Sequence, residues 1–214
     1  MVLLLVGLCC GCTGASKAPV SEPAGGEVEV EAKQEPVPTL LQIEGVAEVD
    51  TQKNGDTPVG ATVAGIKGEV NVLNLETWEG LRGEVSVPIS SFNTGLELRD
   101  ERIQDVFFNR EAWPDVVLKF AAPAGFSRPL VVGDAQALTV PAEISVGGGE
   151  GAVTLELDVA LEEDGRYSVT TRTPAVLSIQ GLGLSDALAQ LVTLCGHESV
   201  RDEVRVDIRA TVTN

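Results

Sequence analysis

The sequence predicts an all-β domain of about eight antiparallel strands, closed into a barrel or packed as a sandwich, with one or two short helices. Three observations carry this. From residue 40 onward, apolar residues recur at every second position, so each segment has one apolar and one polar face. Turn pairs such as Asn54-Gly55 and Asp164-Gly165 separate the segments and favour the backbone of tight hairpins. Only residues 185–195 keep a helical period over several turns. A sheet of this kind turns its polar face to water and buries the other.

Residues 1–11, MVLLLVGLCCG, are apolar but too few to span a bilayer, and read as a signal peptide. Gly11, Cys12, Thr13 and Gly14 resemble a bacterial lipobox, which would make Cys12 the lipidated first residue of the mature protein. A plain cleaved signal with incidental cysteines is the alternative. Residues 12–39 are rich in Pro, Glu, Gly and Ala without hydrophobic period, and read as a disordered tether. The barrel domain is then residues 40–214. The expected setting is the bacterial periplasm or outer membrane, with the membrane reached through the N-terminal lipid anchor.

Within the domain, Leu41 and Ile43 alternate with polar residues, and Gly45 marks an expected bulge before residues 46–49. Ile66, Val70 and Val72 give another strand, and Trp78 falls in a short connection. Val85, Val87 and Ile89 open a strand that breaks at a polar corner of Ser90, Ser91, Asn93, Thr94 and Gly95. A short helix is expected at about 100–107, and Pro114 ends the segment before a strand at 116–120. Leu138, Val140, Ala142, Ile144 and Val146 share one side of the next strand, where Pro141 on the other side implies an edge or a bulge. Residues 147–151 read as a glycine turn; without a Lys-Ser/Thr ending they are no phosphate loop. Residues 153–161 and 167–177 form a predicted hairpin around Asp164-Gly165. Ser185 is the expected N-cap of a helix whose apolar face is Leu188, Leu191, Val192 and Cys195, closed by Gly196. Residues 204–212 alternate as the last strand.

A formal charge of −17 excludes the Lys/Arg surplus that nucleic acid or anionic lipid surfaces require. The 32 Asp and Glu residues mostly alternate outward on strands, and no pair stands out as an acid/base couple. With one His and four Cys, three of them before residue 13, neither a disulfide framework nor a multi-histidine metal site is expected. Cys195 and His197 lie close in sequence, but Cys195 falls on the apolar helix face and no third orienting group follows. No catalytic residue is assigned, and the chain is not expected to be an enzyme.

The stretch 82–120 carries a more specific signal. Ser91, Thr94, Gly95, Arg99, Asp100, Ile103, Phe107, Phe108, Trp113, Pro114 and Phe120 resemble the signature of the YceI-like family of polyisoprenoid-binding proteins. Arg102, Gln104 and the glycines at 147–149 depart from that pattern, where the family usually has a His, a basic residue and a His-Gly pair. The resemblance implies a lipocalin-like antiparallel β-barrel, export from the cytoplasm, and a barrel interior holding an isoprenoid- or quinone-like lipid. No cofactor beyond such a lipid is implied.

On that basis Trp78, Phe92, Phe107, Phe108, Trp113 and Phe120 are candidate cavity residues, binding a tail by burial of apolar surface. Phe107 and Phe108 are adjacent, so at most one is expected to face the cavity. Read as plain core, the same rings plug one end of a filled barrel. Thr94, Arg99, Asp100 and Arg102 are candidates for a head-group contact. Their structural alternative is a corner fixed by an Arg99–Asp100 salt bridge and capping. The functional expectation is a lipid binder or carrier; the alternative is a non-catalytic envelope module with a filled barrel and an interacting outer face.

Overall fold

The computed structural model describes residues 37–122 and 125–214. The expected signal peptide, Cys12 and nearly all of the expected tether lie outside the described residues. In chain order the strands are β1 Thr39–Lys53, β2 Thr57–Val72, β3 Leu81–Pro88, β4 Phe92–Asn93, β5 Asp115–Ala122, β6 Ala135–Val146, β7 Gly149–Leu161, β8 Tyr167–Thr173, β9 Ala175–Ser178 and β10 Glu203–Thr213. The helices are α1 Glu97–Arg102, which runs on into a π turn Ile103–Phe107, and α2 Ser185–Cys195.

Eight long strands follow one another around a ring, β1-β10-β8-β7-β6-β5-β3-β2, and pairing of β1 with β2 closes it. Every ladder in the ring is antiparallel. The barrel therefore has two unlike ends. The floor carries the loops 73–80 and 162–166, and residues 125–134 ahead of β6. The lid end carries the β1–β2 hairpin tip, the corner and helices between β3 and β5, the 147–148 turn, and α2.

Several local expectations change in the structure. The bulge lies where Gly45 meets Ala47, but the extra residue is on β2: Gly45 faces Ile66 and Ala47 faces Val63, leaving Ala64 and Gly65 opposite Val46. Gly65 takes φ +72°, a conformation that glycine reaches without strain. Above it β2 leaves β3, and β4 covers its edge through Val63 and Phe92. Pro141 is not on a free edge, since β6 pairs along its whole length with β7. It does end the ladder to β5, which stops at Phe120 opposite Ala142, because proline has no N–H to give.

The expected strand 167–177 is broken. β8 pairs β7 and β10, whereas β9, beyond Pro174, pairs β10 alone. The upper half of β7 is thus unpaired on that side, and residues 181–184 cross over it. The crossing is so close that a Cβ at Gly149 would stand 1.8 Å from the Leu182 carbonyl oxygen. The glycines after β6 accordingly make a two-residue turn at 147–148 and then a passage for this strap. Ser185 is the first helical residue and its side chain caps nothing; Leu184 holds the cap position. The expected helix at about 100–107 begins earlier, at Glu97, and its second half is the π turn.

Inward side chains form three packed clusters. The floor cluster centres on Leu41, Val72, Trp78, Val140, Val159 and Val212. A lid cluster joins Ile144 and Val146 to Ile179, Leu182 and Leu184 of the strap. A side cluster joins Ala47, Val63, Ile66 and Val85. Leu118 touches all three, which places it at the middle of the interior.

Candidate functional site

The barrel interior is not filled. A cavity of about 250 Å³ lies between the floor and the lid, and its walls are aliphatic and aromatic side chains with Pro88, without a charged residue among them. Strand alternation produces this directly: each wall strand points its apolar set inward, from Ile43 on β1 to Ile208 on β10.

Trp78 closes the floor. It sits between Phe126, at a centroid distance of 5.7 Å, and Tyr167, at 5.1 Å and edge-on. Its backbone is in the left-handed region, φ +54°, an unfavourable conformation for a bulky residue that burial of the ring against Phe126 and Tyr167 holds in place. Burial pushes the Tyr167 hydroxyl pKa up. Phe126 and Tyr167 were not among the sequence-derived candidates. Phe126 lies in a segment without periodicity, and Tyr167 opens a strand beside a polar turn.

Phe120 lines the wall on β5, and Phe92, Phe107 and Phe108 line the lid end. Both adjacent rings reach the cavity, contrary to the expectation that only one would. In the π turn the Phe108 N–H bonds the Ile103 carbonyl, five residues back, at 3.0 Å. The wider turn lets Phe107 and Phe108 pack edge-to-face at 4.7 Å, with Phe92 edge-on to Phe108 at 5.7 Å. Trp113 is the exception among the candidate aromatics. It does not line the cavity, is 50% exposed, and lies against the β6–β7 turn. The turn begun by Asn109, φ +52°, and the extended backbone that Pro114 imposes leave it outside the barrel.

The polar candidates build the corner above Phe92. The Asp100 carboxylate accepts from the Thr94 N–H at 2.8 Å and also from the Thr94 hydroxyl. Arg99 Nε donates to Thr94 Oγ1 at 2.8 Å, and Arg99 Nη2 to the Thr94 carbonyl at 3.0 Å. Arg99 and Asp100 therefore fix the corner by sharing Thr94, not by the expected salt bridge with each other. Arg102 points elsewhere: its Nη1 lies 3.8 Å from Cys195 Sγ, linking α1 to α2. Gln104, which stands where the resemblance leads one to expect a basic residue, is buried and donates to the Phe92 carbonyl at 3.0 Å. Its carbonyl accepts from Arg110. It ties the π turn to the corner, a role that no sequence period signals.

His197, just past the left-handed Gly196 that ends α2, has its pKa lowered, first by burial and then by the charges of Lys53 and Arg99. Lys53 lies at the end of β1 and bridges to Val200, and the Asn54 side chain accepts from the Glu198 N–H at 2.9 Å. The hairpin tip, the segment after α2 and the Thr94 corner thus meet around the lid end of the cavity.

Residues 40–212 match the family model described as a YceI-like domain. No curated relative matches the chain by sequence. Among solved structures, the chain resembles a polyisoprenoid binding domain from Saccharophagus degradans implicated in plant cell wall breakdown, with TM-score 0.67 and 15% identity over 81% of this chain and 97% of that one. It also resembles Burkholderia cenocepacia BcnA, with TM-score 0.54 and 13% identity over 80% and 96% of the two chains. A mutant CJ YCEI protein superposes with TM-score 0.54 and 15% identity over 73% and 85%. At these identities the likeness is one of fold.

Proposed function

The chain belongs to the YceI-like domain family, and from that membership we propose that its barrel binds an isoprenoid-class lipid by burying the apolar tail in the cavity. The observation that carries the proposal is the cavity itself, walled by apolar side chains alone from the strands, the floor and the lid. The Saccharophagus degradans neighbour, described as polyisoprenoid binding, supports the ligand class.

Volume limits the tail. A benzene molecule occupies an engineered cavity of roughly 150 Å³. On that scale the 250 Å³ here holds about ten carbon atoms, two isoprene units. Burying ten such carbons contributes roughly 8 kcal/mol at about 0.8 kcal/mol each. Association itself costs about 4 kcal/mol or more, so the tail alone binds weakly and a contact to the head group decides affinity. The role is binding or carriage, without a catalytic step. The N-terminal apolar run and the lipobox-like Cys12 support export and lipid anchoring in a bacterial envelope; mass analysis of the mature N-terminus, with Cys12→Ser as control, tests that placement.

The test of the binding role is Leu118→Trp in the full chain. Leu118 touches all three interior clusters, so a larger ring there fills the cavity. Calorimetric titration with geraniol is expected to show binding to the parent chain and its loss in the variant, with the circular dichroism spectrum of a β-barrel retained. Equal binding by both chains would place the ligand outside the barrel.

A further inference from the structure

We propose that the Trp78 indole is the stop that fixes tail length, so that the barrel takes a tail of two isoprene units and excludes the further units of longer prenyl chains. The inference rests on the cavity reading above and adds a chain-length limit to it.

The cavity ends on Trp78. Its deep walls, among them Val70, Leu81, Val140 and Leu155, belong to the same packed cluster as this indole. Trp78 lines the cavity, whereas Phe126 and Tyr167, the two rings that pack against it, do not. Leu41, Val72 and Val159 of the same cluster are fully buried and also lie off the cavity. Behind the indole the interior is therefore packed solid. An amphiphile keeps its polar end out of an all-apolar cavity, so the tail tip leads inward and meets Trp78 where the space stops.

The stop is held firmly. The Leu73 N–H donates to the Glu79 carbonyl at 2.8 Å and closes the 73–80 loop at its base. Inside the loop the Asn74 side chain accepts from the Glu76 N–H at 2.9 Å and from the Thr77 N–H at 3.3 Å. From the other side, the Phe126 N–H donates to the Thr77 carbonyl at 2.6 Å, and the Leu130 N–H to the Glu76 carbonyl at 3.0 Å. Gly125 permits this approach, since any side chain there would run into the backbone of Thr77 and Glu79. Strain such as the left-handed backbone of Trp78 persists only where the surrounding structure over-determines it. Here the surrounding bonds hold a large ring at the end of the cavity.

Truncating that ring should move the limit. A cavity of roughly 150 Å³ holds benzene, and an indole is larger than benzene. Trp78→Ala therefore opens room for about one further isoprene unit.

The experiment is a set of calorimetric titrations of the full chain with prenol, geraniol and farnesol, which carry one, two and three isoprene units. In the parent chain, affinity is expected to rise on the order of a hundredfold from prenol to geraniol, as the second unit is buried. From geraniol to farnesol it is expected to change by less than about threefold, because the third unit finds no space. In Trp78→Ala, farnesol is expected to bind at least about tenfold more tightly than geraniol. A parent chain in which farnesol gains as much again over geraniol would overturn the limit, and so would a folded Trp78→Ala with unaltered chain-length dependence. Trp113→Phe keeps the test open if Trp78→Ala does not fold: Trp113 lies off the cavity, and its loss leaves Trp78 as the single tryptophan. In that variant, geraniol brominated at its tail end is expected to quench the Trp78 fluorescence at saturation. Absence of quenching would place the tail tip away from Trp78 and overturn the stop. Failure of geraniol and farnesol alike to bind the parent chain would overturn the cavity reading and this inference with it.

Discussion

Gly83 and Phe120 face each other across β3 and β5, and the Phe120 ring occupies the space that any side chain at Gly83 would need. A Cβ at Gly83 would stand 2.6 Å from Phe120 Cζ and 2.6 Å from the Glu69 carbonyl oxygen. The missing side chain thus lets an aromatic ring lie flat against the wall and border the cavity without filling it. Gly83→Ala is expected to destabilise the barrel by about 1–3 kcal/mol, because neither the ring nor the backbone oxygen can move freely. Urea unfolding measures this. Adding Phe120→Leu should restore only part of the loss, since the Glu69 carbonyl remains; full recovery would show that the ring alone is the constraint.

Trp78 supports the floor from a strained backbone, packed between Phe126 and Tyr167. Trp78→Ala is expected to lower stability by about 3–5 kcal/mol, the usual loss when a buried large aromatic is truncated. A shift in the urea midpoint corresponding to less than 1 kcal/mol would mean that the floor rearranges around the gap.

Asp202 anchors the strap that crosses β7. Its carboxylate accepts from the Ser178 hydroxyl at 2.5 Å and from the Gln180 N–H at 2.6 Å. These bonds, the Ser178 hydroxyl first, hold its pKa below the usual carboxylate value against a small opposing effect of burial. A carboxyl with a depressed folded pKa stabilises the fold above its unfolded value, near 3.9, and that contribution is lost as pH falls through the folded value. The parent chain should therefore be more stable than Asp202→Asn at neutral pH, and the difference should close below about pH 4. Denaturation midpoints across that range test it; a pH-independent difference would assign the effect to shape instead of charge.

The corner offers a further check. Asp100→Ala leaves the Thr94 N–H and hydroxyl without their shared acceptor, for an expected loss of about 1–2 kcal/mol. Because the same change frees Arg99, protection of the Thr94 amide from hydrogen exchange should fall more than that of amides in the floor strands. Uniform loss of protection would contradict a local clamp.

The barrel was legible in the sequence because period-two alternation is a direct image of strand geometry, as in β6, where every second residue from Gln136 to Val146 is buried. The hairpin at Asn54-Gly55 was legible for the same reason: both residues take positive φ, as that turn pair favours. What alternation cannot show is how strands part. The break after Thr173, the strap over Gly149 and the β2 bulge at Gly65 depend on which strand lies alongside, a non-local fact. The cavity-lining aromatics Phe107, Phe108 and Phe120 were picked out by a motif, and Phe92 lies beside it, whereas Trp113 in the same motif lies outside because the Asn109 turn redirects the chain. Gln104 and the Lys53–His197 proximity were invisible, since they join segments far apart in the chain.

The central claim is tested most directly by native mass spectrometry of the full chain after export into a bacterial periplasm. The expected result is a discrete added mass, removed by organic extraction and identified as a prenyl lipid, that disappears in Leu118→Trp. A chain that emerges without added mass and takes up no geraniol or geranyl phosphate would contradict it, and would show that the apolar cavity between Trp78 and Phe107 is not a ligand site.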